Sequence, residues 1–339
     1  MKLFKKTILV LSIVGVTICA AAFLFIFSSS RSSAAELAQS DLIFLHHSVG
    51  QNWLDQGLRE ALVQKPYIDN VDDTFYGTYV PPSPNRPATL APRPGDFTDA
   101  NHWIFWFNDY LDTVKSRDNP DGLIQTYAEK ITARLPAAGS VFNLVLGQPV
   151  PENNKIVMFK SCFLDNNISS DASGPVDPFS DTRTFANHQA LFRHPDGPDH
   201  TYTHNGYTYK PLEDIFAENP DTLFIFVTNP PSHYAPKDAT TDETARLNRE
   251  FDAWVKEEWL PSYNQAHPGL NNVAIFDLFD IWAYADDAPE HPNRLKAEFG
   301  GERGDSHPNR AANEYATEVF ATSSENFIDQ AWEAFQNRQ

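Results

Sequence analysis

Three stretches limit the fold more than anything else in the chain. IVMF (156–159), LFIFVT (223–228) and VAIF (273–276) are apolar almost without interruption. A strand with one wet face alternates apolar and polar side chains. A continuous apolar run instead marks a strand covered on both faces, as in a parallel sheet flanked by helices. Two further segments complete the strand set, which is expected at 41–45, 74–76, 155–159, 222–228 and 272–276. Helical periodicity falls between them. It covers 52–63, and also 122–135, where Leu123, Ile124, Tyr127, Ile131 and Leu135 share a face. A capping box of Thr240 and Glu243 precedes a helix that aligns Leu247, Phe251, Trp254, Val255 and Trp259. From Asn309 onward the pattern is again helical, with Tyr315, Val319, Phe320, Phe327, Ile328 and Trp332 as apolar contacts. Alternating strand and helix predicts an α/β three-layer sandwich around a mostly parallel five-stranded sheet.

Residues 77–121 and 163–211 break this rhythm. The first is rich in Pro, Asp and aromatics, the second in Asp, Asn, His and Gly. Both follow strand ends, where open α/β sheets bind ligands, so they read as insertions that shape one cleft. Trp103, Phe105, Trp106, Phe107 and Tyr110 are expected in the core, with one or two of them available as a sugar-stacking platform. His194, Asp196, Asp199, His200 and His204 are expected to decorate a cleft loop, with cation binding as the alternative.

The first 27 residues stand apart. Lys2, Lys5 and Lys6 precede an apolar run from Thr7 to Phe27, which reads as an export signal or an N-terminal anchor. A short polar linker, 28–40, would join it to a single domain over 41–339. Lysines before the run and none directly after it place the domain outside the cytoplasm. The only cysteines are Cys19, inside the leader, and Cys162, so the exported part has no internal disulfide. The formal net charge of −19 argues against a nucleic-acid partner.

The first strand runs into His46, His47 and Ser48, with Gly50 giving the turn its freedom. A serine at a strand-to-helix turn is exposed at the sheet's upper edge, where its own N–H can face an oxyanion. The same serine also suits an ordinary helix cap. A nucleophile needs a base, and the base needs an orienting group. GDSHPN (304–309) supplies Asp305 and His307 just before the last helical stretch. His46, His47, Asp305 and His307 also form a conceivable metal-ligand set at one sheet edge. The favoured reading packs one of the paired imidazoles below the serine turn and lets the other line the cleft, with no metal and no cofactor.

Together, DLIFLHHSVG (41–50) and GDSHPN resemble the first and last blocks of the SGNH (GDSL-type) hydrolase superfamily. The resemblance spans about residues 41–335 and rests on order and context. It implies a flavodoxin-like sandwich with Ser48 as nucleophile, His307 as general base and later acid, and Asp305 as its orienting partner. It implies an oxyanion hole made by Ser48 N–H, Gly77 and either Asn166 or Asn167. The chain departs from the family in having His46-His47 where Gly-Asp is usual. It also has Asp-x-His where Asp-x-x-His is usual, a spacing shared with branches that handle O-acetyl groups on polysaccharides. The implied activity is hydrolysis of a carbohydrate O-ester. The alternatives are an O-acyltransferase with the same triad, or a glycan- or metal-binding module without turnover.

Overall fold

A computed structural model describes residues 40–74, 100–115, 154–162, 167–171, 175–235 and 240–338. Its strands are β1 (Ser40–Leu45), β2 (Ile68–Thr74), β3 (Asn154–Phe159), β4 (Tyr202–His204), β5 (Tyr207–Tyr209), β6 (Leu223–Val227) and β7 (Val273–Phe276). Five of them form one all-parallel sheet in the order β2-β1-β3-β6-β7. β4 and β5 form a separate antiparallel hairpin. The strand order reverses between β1 and β3. At such a switch point the connections leave their strands in opposite directions and open a crevice beyond the carboxyl ends.

Both faces of the sheet are covered, as the unbroken apolar runs require. Successive side chains of a strand point to opposite faces. Ile43, Leu45, Val157, Phe159, Phe224 and Phe226 join one core cluster. Their helical partners there include α3 (Trp103–Asp109), α4 (Phe185–Phe192), α5 (Leu212–Glu218) and α6 (Asp242–Trp254). Trp103 meets Phe159 and Phe226 edge-on at 5.5 and 5.2 Å. On the other face Phe44 meets Trp53 of α1 (Ser48–Trp53). Trp53 in turn stacks on Phe276 at 5.7 Å and meets Phe320 edge-on. Its indole N–H donates to the Thr317 hydroxyl of α7 (Arg310–Thr317) at 2.9 Å. The fold is thus a three-layer α/β/α arrangement, and all the described residues belong to one compact unit.

Several boundaries differ from the sequence reading. The second strand is Ile68–Thr74, upstream of the expected 74–76. Its sequence, IDNVDDT, looks like a polar loop, yet all seven residues are buried. The acids find partners within the fold: Asn70 Nδ2 donates to Asp72 Oδ1 at 2.8 Å, and Asp73 meets His46 and Arg59. The first helix begins at Ser48 rather than at residue 52. It continues through a π turn (Leu54–Leu58) into α2 (Arg59–Leu62), with Gly57 at φ 124°.

The cap of α6 is Thr241, which accepts from Thr244 N at 3.1 Å, and Glu243 pairs with Arg246 instead of closing a box. Tyr315 is 46% exposed and stacks on Phe299. The final helical stretch breaks before Phe327, where Asn326 caps α8 (Phe327–Gln336). The expected insertion 77–121 contains, in its described part, core rather than cleft. Trp103, Phe105, Trp106, Phe107 and Tyr110 are all at most 5% exposed, so none offers a stacking platform. The helix expected at 122–135 and the leader lie outside the described residues. Among the described residues no helix is long and apolar enough to cross a membrane.

The buried face of α6 carries one ionisable residue, Asp252. Burial pushes its carboxyl well above the usual range, and the neighbouring Asp277 adds to this. The folded protein therefore holds this proton more tightly than the unfolded chain, and Asp252 costs stability as pH rises above the unfolded value of 3.8. Asp252→Asn removes that cost. It is expected to gain about 1 kcal/mol or more at pH 8, roughly 2 °C in melting temperature, and nothing near pH 3. Thermal melts at the two pH values check this, and a lower melting temperature at pH 8 would contradict it.

Candidate active site

The site begins at the carboxyl end of the central strand. After Leu45, His46 N still donates to Thr74 O at 3.2 Å, continuing the ladder towards β2. His47 is extended (φ −131°, ψ −163°) and precedes the helix, whose first bond is Gln51 N→His47 O, 3.1 Å. Ser48 is the first helical residue. Its N–H therefore lies in the turn whose donors have no acceptor within the helix. Its side chain is half-buried at the edge of the β1–β3 switch point.

The loop before α7 brings the second half. Asn309 caps α7 by accepting from Ala312 N at 3.1 Å, which fixes the chain just after Pro308. Just upstream, Asp305 Oδ1 accepts from His307 N at 3.0 Å and lies 2.5 Å from His307 Nδ1. On the far side of the ring, His307 Nε2 is 2.7 Å from Ser48 Oγ. Burial alone would push the Asp305 carboxyl up. Hydrogen bonds from the His307 ring and backbone outweigh it and hold the carboxyl below its usual value. An ionised Asp305 accepts from Nδ1–H, so Nε2 presents its lone pair to the serine hydroxyl. Ser48, His307 and Asp305 thus form one continuous hydrogen-bond chain, in which Asp305 orients the ring and His307 faces a serine 259 residues away in sequence.

The paired histidines separate completely. The His46 ring is fully buried under the serine turn. A Cβ at position 50 would stand 2.5 Å from His46 Cβ and 2.6 Å from Cγ, so only glycine fits there. His46 Nδ1 lies 2.9 Å from the His47 carbonyl, and Nε2 lies 3.3 Å from Asp73 Oδ2. The carbonyl can only accept, so Nδ1 carries a proton. Asp73 also holds the Arg59 guanidinium, which donates on to Val71 O at 2.7 Å. His47 is half-buried beside the site. Burial, followed by the charges of Lys160, His46 and His307, lowers its pKa to about 4. It is a neutral imidazole at working pH and no rival to His307 as base.

Residues after β3 supply contacts that the sequence reading missed. Lys160 N donates to Leu45 O at 3.0 Å, binding the ends of β3 and β1 together. The Lys160 side chain is fully buried and donates to Ser161 O. Cys162 Sγ lies 3.6 Å from Ser48 Oγ. The available signal was position alone: KSC directly follows IVMF at a strand end.

Of the expected oxyanion donors, Ser48 has its N–H in the first turn of α1, while Gly77 and Asn166 lie outside the described residues. Asn167 is engaged elsewhere: its Nδ2 donates to Thr240 Oγ1 at 3.2 Å, and its Oδ1 accepts from Asn248 at 3.2 Å. These bonds turn its amide towards the start of α6. The four-residue ligand set is not assembled either, because His46 turns to Asp73 while Asp305 and His307 meet at Ser48. In the histidine-rich segment, His194 packs on His200 and Tyr202, and His204 stacks on Phe179 at 4.3 Å. Among the described residues no three His, Cys, Asp or Glu side chains are grouped to hold a metal ion.

No family model matches the chain, and no curated protein matches it.

Proposed function

We propose that the protein is an exported serine hydrolase that cleaves an ester, an O-acyl group such as acetyl on a carbohydrate. The observation that carries the reading is the unbroken contact chain from Ser48 Oγ through both nitrogens of His307 to Asp305. His307 Nε2 takes the hydroxyl proton as Ser48 Oγ attacks the acyl carbon. The developing oxyanion falls to the Ser48 N–H in the first turn of α1. His307 then protonates the departing sugar oxygen, leaving an acyl-enzyme. It next takes a proton from water as the hydroxide attacks the acyl carbon, and returns that proton to Ser48 Oγ as the carboxylic acid leaves.

The leader supports export. The acidic, polar composition supports a carbohydrate rather than a lipid as the alcohol side. The decisive experiment is covalent. A fluorophosphonate probe is expected to add to the protein once, with mass spectrometry locating the adduct on Ser48. Denatured protein is expected to be inert. An adduct elsewhere, or none on folded protein, would remove the hydrolase reading.

A further inference from the structure

The domain also holds a depression with a volume of about 280 Å³. Three segments wall it: Asn167 and Ser169 after β3, Asp181 to Arg183 before α4, and Thr240 with Thr244 at the start of α6. All seven lining residues carry a hydroxyl, an amide or a charge. The walls are held by backbone and buried amides. Ser169 N donates to Arg183 O at 2.9 Å, and Phe185 N to Ser170 O at 3.1 Å. Asn187 Nδ2 donates to Thr182 O at 2.8 Å, and Asn248 accepts from Ile168 N at 3.0 Å. The shape is therefore set before any ligand arrives, which lowers the cost of binding.

We propose that this depression is a sugar subsite, seating one ring of the glycan whose ester is presented to Ser48. The proposal rests on the hydrolase reading for its link to turnover, and on the lining for its chemistry. Sugar diols both donate and accept. Here the Ser169 and Thr182 hydroxyls stand beside one carboxylate, Asp181, and one guanidinium, Arg183. An anionic ligand would meet Asp181, and an acyl chain would meet no apolar wall. The volume lies at the small end for ligand sites, which suits a single ring.

Its position fits as well. Cys162, against Ser48, and Asn167 are five residues apart, so their Cα atoms lie within roughly 18 Å. On the other side, one buried guanidinium joins pocket and triad. Arg294 donates to Thr240 O at 2.6 Å and to His233 O at 3.3 Å. His233 N donates to Ser306 Oγ at 3.1 Å, between Asp305 and His307.

The test uses Ser48→Ala protein, which binds without turnover, on an array of neutral oligosaccharides. Binding is expected, and it should be lost when Thr182→Trp is added to fill the pocket. Thr182 itself is exposed, and its backbone makes the loop's bonds, so matching melts would show an intact fold. With Ser48 present, Thr182→Trp should lower kcat/KM for acetylated oligosaccharides about tenfold relative to that for p-nitrophenyl acetate. Arg183→Ala should act in the same direction. No retention of any glycan, or retention unaffected by Thr182→Trp, overturns the proposal. Thr182-dependent glycan binding without any ester cleavage would keep the subsite and sink the hydrolase reading instead.

Discussion

Replacing Ser48 by alanine is expected to lower turnover of p-nitrophenyl acetate and of acetylated glycans by roughly four to six orders of magnitude. The size follows from the geometry. His307 Nε2 sits 2.7 Å from Ser48 Oγ and has no other nucleophile to activate on that path. Neither neighbouring histidine can replace it, since His46 is sealed under the turn and His47 is adjacent to the lost oxygen. Cys162 is near, but it is almost fully buried, and its contact is to Ser48 rather than to His307. The substitution removes only a half-buried hydroxyl, so the melting temperature should move little. Variant turnover within tenfold of wild type would end the case for Ser48 as nucleophile.

The second large effect is on stability. Asp73→Ala is expected to cost about 3–5 kcal/mol, or roughly 5–10 °C in melting temperature. Asp73 is fully buried between His46 and Arg59. Removing it strips the guanidinium of its carboxylate and the imidazole of its Nε2 acceptor. It should also lower turnover, because His46 is the ring on which the serine turn rests. Burial pushes the Asp73 carboxyl up, but the bonds and charges of His46 and Arg59 pull it below its usual value of 3.8. Its contribution is therefore present above that value and lost as pH falls below it. The gap between wild type and Asp73→Ala should accordingly be wide at pH 7 and narrow below about pH 3. Equal melts at pH 7 would show that the buried pair does not hold the turn.

Much of this was legible in the sequence, and the exceptions have a common cause. The runs at 156–159, 223–228 and 273–276 announced strands covered on both faces, because both faces are covered. Ser48, Asp305 and His307 stood out because a strand end and a loop before a helix are where such chemistry can be presented. β2 did not stand out. Four acids and amides in seven residues look like a loop unless one knows that Arg59 and His46 reach Asp73. Asn167 looked like an oxyanion donor because it follows β3 closely, but Thr240 and Asn248 claim its amide. Cys162 and Lys160 carried no pattern of their own. For Asp73, Asn167 and Cys162 the deciding partner lies well outside the local stretch, where periodicity and spacing do not reach.

The fit of the His46 ring against Gly50 has a consequence for how such chains diverge. Position 50 cannot change alone: a Cβ there would stand 2.5 Å from His46 Cβ itself, so a side chain at 50 needs a bare Cα at 46 or a shifted turn. The dependence runs one way, from the residue at 46 to the glycine four positions on. A lineage that exchanged His46 for a smaller residue would still keep glycine at 50, because any Cβ at 46 leaves the same 2.5 Å contact. A lineage that kept the histidine would keep the glycine. The block H-x-S-x-G is thus better read as a steric pair flanking a nucleophile than as a catalytic histidine beside a serine.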